Sequence, residues 1–171
     1  MSSKCVLITG ATGFIGANLA RRLLRDGHDL HLLVRRSHDP WRIESIRSAV
    51  HVHEVDLRDV EALDHVVRRI RPDWIFHLAA HGASPWQTDL HQMVQANLVG
   101  TINLVQASLR TGVETFIHTG SSSEYGFKDH AMSEAELVEP HSDYALTKAS
   151  ATLFCRSTAQ RVGVRLFILR L

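Results

Sequence analysis

Lysine is scarce in this chain. Three of its 171 residues are lysine (Lys4, Lys128 and Lys148) against sixteen arginines, so the arginine excess reads as a compositional habit. Cysteine is nearly missing too. Cys5 and Cys155 lie far apart in apolar contexts, which fits two buried free thiols in a reducing cytoplasm better than a disulfide. Long hydrophobic runs are absent. The most apolar stretch, Trp74 to Ala80, is far too short to span a bilayer. No one sign of charge prevails: the formal net charge is +1, which gives no reason to expect a nucleic acid or a membrane surface as partner. The first residues run straight into a strand-like segment without a signal-peptide pattern, and there is no repeat, low-complexity tract or linker. One cytoplasmic domain is the expectation.

Twelve histidines invite a metal reading, but their spacing supplies no ligand pattern. His77 and His81 are four apart, yet the run from Trp74 to Leu78 reads as a strand, so they share no helical face. His51 and His53 share a strand face with no cysteine or carboxylate cluster nearby. No metal is expected.

What is present is alternation. Cys5–Ile8 is a short apolar run ending near glycine, a buried strand. Apolar residues at 14, 15, 19, 20, 23 and 24 form a helical stripe from Phe14 to Arg25, stopped near Gly27. Strands follow at Leu30–Val34 and Val50–Val55, the latter after a short segment over 41–48. A helix from Val60 to Ile70 takes Asp59 as N-cap and is closed by Pro72. Then come a strand to Leu78, a helical period over Leu90–Leu109, a strand over Thr115–Thr119, a helix over Asp143–Arg161, and a last strand over Val164–Leu169. Such alternation implies parallel pairing with right-handed crossovers. The fold class is therefore α/β, a doubly wound parallel Rossmann sheet of order 3-2-1-4-5-6. The sequence stops at Leu171, at the end of the sixth strand, which suggests part of a longer polypeptide.

Between the first strand and first helix lies Thr9-Gly10-Ala11-Thr12-Gly13-Phe14-Ile15-Gly16. Gly10 can turn the chain tightly, Gly13 can admit backbone to phosphate oxygens, and Gly16 can let the helix pack against the sheet. The helix N-terminus offers free N–H groups to an anion. An acid ending the second strand would bind the ribose hydroxyls of NAD. Here Val34 is followed by Arg35 and Arg36, which suit a ribose 2′-phosphate; NADP is expected over NAD, unless both arginines are simply solvated. Asp56 and Leu57, after the third strand, are placed to touch adenine, and Asp56 could equally cap the next helix.

Tyr144 and Lys148 are i and i+4 on the 143–161 helix and share one face. An ammonium about 5 Å from a phenol favours the phenolate by about 3 kcal/mol at an effective dielectric of about 20, bringing Tyr144 toward acid–base use near neutral pH. Ser121, Ser122 and Ser123 follow the fifth strand, at the edge where parallel sheets bind ligands.

Together these motifs resemble the extended short-chain dehydrogenase/reductases, the NAD(P)-dependent epimerase/dehydratase/reductase group acting on nucleotide sugars. The resemblance runs along all 171 residues: TGATGFIG at 9–16, DL at 56–57, HLAA at 77–80, Asn97 with GT at 100–101, SSSEYG at 121–126, YALTK at 144–148 and RLFILRL at 165–171. It implies Tyr144 as general acid/base with Lys148 as partner, and Asn97 holding the geometry and a water. Dinucleotide contacts would come from Gly10, Thr12, Gly13, Phe14, Ile15, Gly16, Leu78, Ala79 and Ala80. Counted without a gap, Ser121 is the substrate hydroxyl; a one-residue gap shifts that role to Ser122 and brings Glu124 into play. The ungapped alignment puts serines where dehydratases carry acid/base groups, so a 4-keto reductase is expected, with a 4-epimerase, a dehydratase or an inactive dinucleotide-binding fragment as alternatives. The resemblance also implies a homodimer through helices 88–110 and 143–161, and a C-terminal substrate domain that these 171 residues do not contain.

Overall fold

The computed structural model describes residues 2–84 and 86–171. Six strands, β1 (Cys5–Thr9), β2 (Asp29–Val34), β3 (His51–Glu54), β4 (Trp74–His77), β5 (Thr115–Gly120) and β6 (Arg165–Arg170), form one sheet of order β3-β2-β1-β4-β5-β6. Every neighbouring pair is parallel. The helices are α1 (Phe14–Arg25), α2 (Val60–Ile70), α3 (Leu90–Met93), α4 (Gly100–Leu109) and α5 (Asp143–Val162).

Strand alternation divides the core in two. Val6, Ile8, Leu30, Leu32 and Val34 face α1, where Ala17, Ala20 and Leu23 close over them. Leu7, Leu33, Ile75 and Phe116 face the other way, against Leu63 and Val67 of α2, Leu104 of α4 and Cys155 of α5. Helix ends follow local chemistry. The Asp59 carboxylate accepts the Ala62 N–H, and Arg71, in the left-handed region at φ 51°, ends α2 just before Pro72. Gly163, at φ 69°, ends α5.

One departure from the expected helices bears on function. The period over Leu90–Leu109 is not a continuous α-helix; a π-helical turn, Val94–Val99, joins α3 to α4 and carries Asn97. Such turns widen a helix by one residue and often sit at functional positions. No helix among the described residues is long and apolar enough to cross a membrane.

Candidate dinucleotide and proton-transfer site

The glycine loop lies at the C-terminal edge of β1. Gly10 has φ +71°, and a Cβ there would stand 2.6 Å from the Ala79 nitrogen and the Leu78 carbonyl carbon. A Cβ on Gly16 would reach 2.8 Å from the Ala11 Cα. Both glycines are therefore required by close backbone approach. Gly13 is the N-cap of α1 and its N–H closes a turn on the Gly10 carbonyl at 3.0 Å. No side chain caps α1 and its first turn holds no acid, so the N–H groups at Phe14 and Ile15 stay open to an anion. The side chains of Phe14 and Ile15 are exposed, and the Thr12 carbonyl accepts from Arg42 at 3.3 Å. Leu78 and Ala79 line the other side of the loop, the Leu78 and Ala79 N–H groups bonding the Thr9 carbonyl and hydroxyl, and Ala80 is exposed beside them.

Past the loop, beyond β2 and β3, a cavity of about 540 Å³ is lined by Arg35, Arg36, Ser37, Glu54, Val55, Asp56 and Arg58. Both predicted arginines are in it, together with a third that the sequence did not single out. Arg58 grips Asp56 with Nε to Oδ1 at 2.9 Å and Nη2 to Oδ2 at 2.6 Å. That pairing, joined by the charge of Arg35, holds the Asp56 carboxyl below the usual carboxylate range. Asp59, not Asp56, caps α2. Leu57 turns toward α4, its carbonyl accepting from Asn103 at 2.9 Å.

Around the far end of β5 the proton-transfer candidates meet. The Ser142 hydroxyl caps α5 by accepting the Ala145 N–H, which sets Tyr144 and Lys148 in the first turns. Lys148 is buried and its Nζ donates to the Thr119 carbonyl at 2.6 Å. Burial depresses its pKa to about 8. Tyr144 departs from expectation: its pKa is raised, first by burial and then by the Glu124 charge, while the nearby Ser121 side chain pulls the other way. Burial, and not the Lys148 ammonium that the i, i+4 spacing implied, sets the direction of the phenol's shift.

Ser121, not Ser122, is the serine beside Tyr144. Its hydroxyl lies 2.6 Å from that of Ser123 and also accepts the Ser123 N–H. Ser122 is exposed, and its N–H bonds the Leu171 carbonyl at 2.8 Å. Glu124 is fully buried as the other half of a capping box. It accepts from the Ser121 N–H at 2.9 Å, Thr152 Oγ1 at 3.0 Å and Arg170 Nε at 2.8 Å. The carboxylate that a gapped alignment would recruit for elimination is thus occupied in holding the serine loop.

Asn97 is a clamp. Its Oδ1 accepts the His81 N–H at 2.8 Å, and its Nδ2 donates to the His81 carbonyl at 2.8 Å and to Thr147 Oγ1 at 3.0 Å. It ties the loop after β4 to α5, within one turn of Tyr144. Below, buried His77 bridges Thr9 and Thr101 at 2.7 and 2.8 Å. Burial, helped by the Lys148 charge, lowers its pKa to about 3. His118 beside it is lowered as well, for the same reasons, and its ring nitrogens have no partner among the described residues.

A doubly wound parallel sheet with a glycine-turned helix N-terminus at its C-terminal edge is the Rossmann arrangement. Residues 6–171 match the NAD dependent epimerase/dehydratase family, and the chain belongs to it. It is 34% identical over 155 residues to the UDP-glucose 4-epimerase of Mycolicibacterium smegmatis, covering 86% of this chain and 49% of that protein. It is 33% identical over 147 residues to sterol demethylase protein B of Methylococcus capsulatus, covering 84% and 43%. The UDP-glucose 4-epimerase of Thermus thermophilus, solved in complex with NAD, superposes with a TM-score of 0.88 at 28% identity, covering 96% of this chain and 54% of that one. The chain spans about half the length of the relatives it matches.

Proposed function

We propose that this chain is the cofactor-binding part of an NADP-preferring oxidoreductase that reduces the 4-keto group of a nucleotide-linked hexose. The observation that carries the reading is the meeting of Ser121, Tyr144 and Lys148 at the far end of β5, with burial raising the phenol's pKa so that Tyr144 keeps its proton at neutral pH. A protonated phenol is a general acid, the role that ketone reduction demands; alcohol oxidation needs the phenolate first.

The residues present fit a bound dinucleotide. Gly10 and Gly16 leave room that a Cβ would fill, the open N–H groups of α1 suit a pyrophosphate, and the arginine-lined cavity suits the adenosine end. Bound there, the nicotinamide would supply the hydride. Ser121 donates a hydrogen bond to the substrate oxygen, and Tyr144 hands its proton to that oxygen as charge develops. Lys148 sets a positive charge beneath the pair, and Asn97 fixes the loop and helix that frame them. Arg35, Arg36 and Arg58 favour a 2′-phosphate, with Asp56 neutralised inside its ion pair.

A 4-epimerase working on retained NAD is the second reading. Glu54 favours it, as an acid lining the adenosine-side cavity, and so does the NAD complex of the Thermus relative. We further propose a homodimer through helices 88–110 and 143–161, supported by exposed Leu146 and Leu153 seven residues apart on α5. A separate C-terminal substrate domain and a cytoplasmic setting belong to the same proposal; the latter is supported by two free thiols.

Turnover decides between the readings. The protein, with its natural C-terminal continuation, is given NADPH and a nucleotide-linked 4-keto-hexose. Stoichiometric NADPH oxidation with loss of the keto group supports the reductase. Interconversion of 4-epimers with NAD and no net redox change supports the epimerase. Dinucleotide binding with neither reaction leaves only a binding module.

A further inference from the structure

At the opposite end of the sheet from the glycine loop, on the face covered by α2, five ligand-type side chains converge from three strands. Parallel register sets Cys5 beside Asp29 and His31 beside His51. Cys5 Sγ, a carboxylate oxygen of Asp29 and a ring nitrogen of His31 lie within 4.8 Å of one another. His31 Nε2 is 3.5 Å from Asp29 Oδ2, and His51 Nε2 is 3.4 Å from Oδ1. Both separations exceed the roughly 2.7–2.9 Å of a charge-assisted hydrogen bond. The His31 separation is close to the edge, about 3.3 Å, of a tetrahedron whose centre lies about 2.0–2.1 Å from nitrogen and oxygen donors, while His51 meets the other oxygen of Asp29.

The surroundings suit a cation. His31 Nδ1 is 2.9 Å from His53 Nε2, a second partner that fixes the ring and turns Nε2 toward Asp29, as outer-shell partners of metal-bound imidazoles do. A second carboxylate, Asp73, accepts the Cys5 N–H at 2.9 Å. The carbonyl end of α2 points here, with the Ile70 oxygen 3.8 Å from Cys5 Sγ, and a helix C-terminus favours positive charge. Arg69, near His53, is the opposing charge. Asp29 and His51 are exposed while Cys5 and His31 are half-buried, so an ion has a path in. Strand pairing brings one carboxylate, Asp29, against His51, which spacing along the sequence does not reveal.

We propose that Cys5, Asp29 and His31 bind one zinc-class divalent ion, with solvent at the fourth position and His53 as the positioning residue behind His31. One sulfur, one imidazole and one carboxylate select a borderline-soft tetrahedral ion over calcium or magnesium. On binding, the Cys5 S–H bond breaks, a sulfur–metal bond forms and the proton leaves to buffer; no electron moves. The ion clips the starts of β1 and β2 together, remote from the proton-transfer site.

The test is titration of the chelator-treated chain with ZnCl₂ by calorimetry, repeated with Co²⁺ by absorption spectroscopy. The expected result is one equivalent bound with proton release, plus a thiolate-to-cobalt charge-transfer band and tetrahedral d–d bands. Cys5→Ser abolishes the charge-transfer band, His31→Ala weakens zinc at least about tenfold, and His53→Ala weakens it about 10–100-fold, the outer-shell range. His65→Ala, on the exposed side of α2, changes nothing. Circular dichroism verifies the fold of each variant, and the wild-type cobalt spectrum stands independently of all of them. Lack of saturable binding, or cobalt binding without a thiolate band, overturns the proposal: Asp29 then only accepts N–H groups from two imidazoles. Zinc binding unchanged in both Cys5→Ser and His31→Ala overturns it as well.

Discussion

Arg170, the last residue of β6, holds its Nε 2.8 Å from the carboxylate of Glu124, which is fully buried under α5. The same guanidinium donates to the Tyr125 hydroxyl at 2.7 Å and lies over that ring. Through the Glu124 carboxylate the sixth strand fixes the Ser121 loop, so the final strand contributes to the site without facing it. Removing one partner of a buried pair strands the other charge, at a cost of about 3–5 kcal/mol. Arg170→Ala is therefore expected to lower unfolding stability by about 3 kcal/mol in urea, and Arg170→Ala with Glu124→Gln to recover part of it. Equal losses in the single and double variants would show that the ion pair is not what holds the loop.

The glycine loop yields a contrast within one residue type. Gly10→Ala and Gly16→Ala drive a Cβ into backbone, an overpacking cost of about 1–3 kcal/mol, and each should abolish dinucleotide binding. Gly27→Ala has a positive φ as well, yet nothing lies within 4 Å of the new Cβ. It should cost about 1–2 kcal/mol of conformational strain and leave binding intact. Thermal melts and dinucleotide titrations on the three variants check this.

Lys148 gives a pH signature. Its folded pKa, about 8, lies below its ordinary 10.5, so between those values the unfolded chain binds more protons than the folded one. Stability due to this group is full above pH 10.5, declines as pH falls and is lost below pH 8. Lys148→Met lacks that dependence. The stability difference between wild type and variant should therefore shift in favour of wild type from pH 8 to pH 9, by up to about 1.4 kcal/mol per pH unit. Urea melts at both pH values measure it, and a pH-independent difference contradicts the buried-ammonium account.

His77 acts at the acid end. Its folded pKa, about 3, lies below 6.5, so stability from this group is full above pH 6.5 and is lost as pH falls toward 3. His77→Gln should flatten the acid unfolding curve over that window, while lowering stability at pH 7 through the disturbed bonds to Thr9 and Thr101. An unchanged acid midpoint in the variant would show that other groups govern acid unfolding.

Most of the fold was legible because its signals are local. The helical stripe over Phe14–Arg25 matches α1 residue for residue, Asp59 caps as its spacing implied, and the strand order follows from alternation alone. What escaped depends mostly on contacts distant in sequence. Nothing in the 90–109 period signals the π turn that carries buried Asn97. Arg58 has no role that spacing along the sequence suggests, and its place in one cavity with Arg35 comes from the pairing of β2 with β3. The Tyr144–Lys148 spacing was legible, but the burial of Tyr144 and the nearby Glu124 charge come from tertiary packing, and they reversed the expected direction of the phenol's pKa. Cys5, Asp29 and His31 are separated by 24 and 2 residues in sequence and meet only through parallel register.

The proposed bias of the dinucleotide site toward a 2′-phosphate, through Arg35, Arg36 and Arg58, is read out by a fluorescence titration with NADPH and NADH side by side. Tighter NADPH binding is expected, by about tenfold or more for charge-assisted bonds to a phosphate. Arg58→Ala, by freeing Asp56, is expected to weaken NADPH more than NADH. Tighter binding of NADH, undisturbed by Arg58→Ala, would contradict it, making the arginines bystanders and moving the epimerase reading ahead.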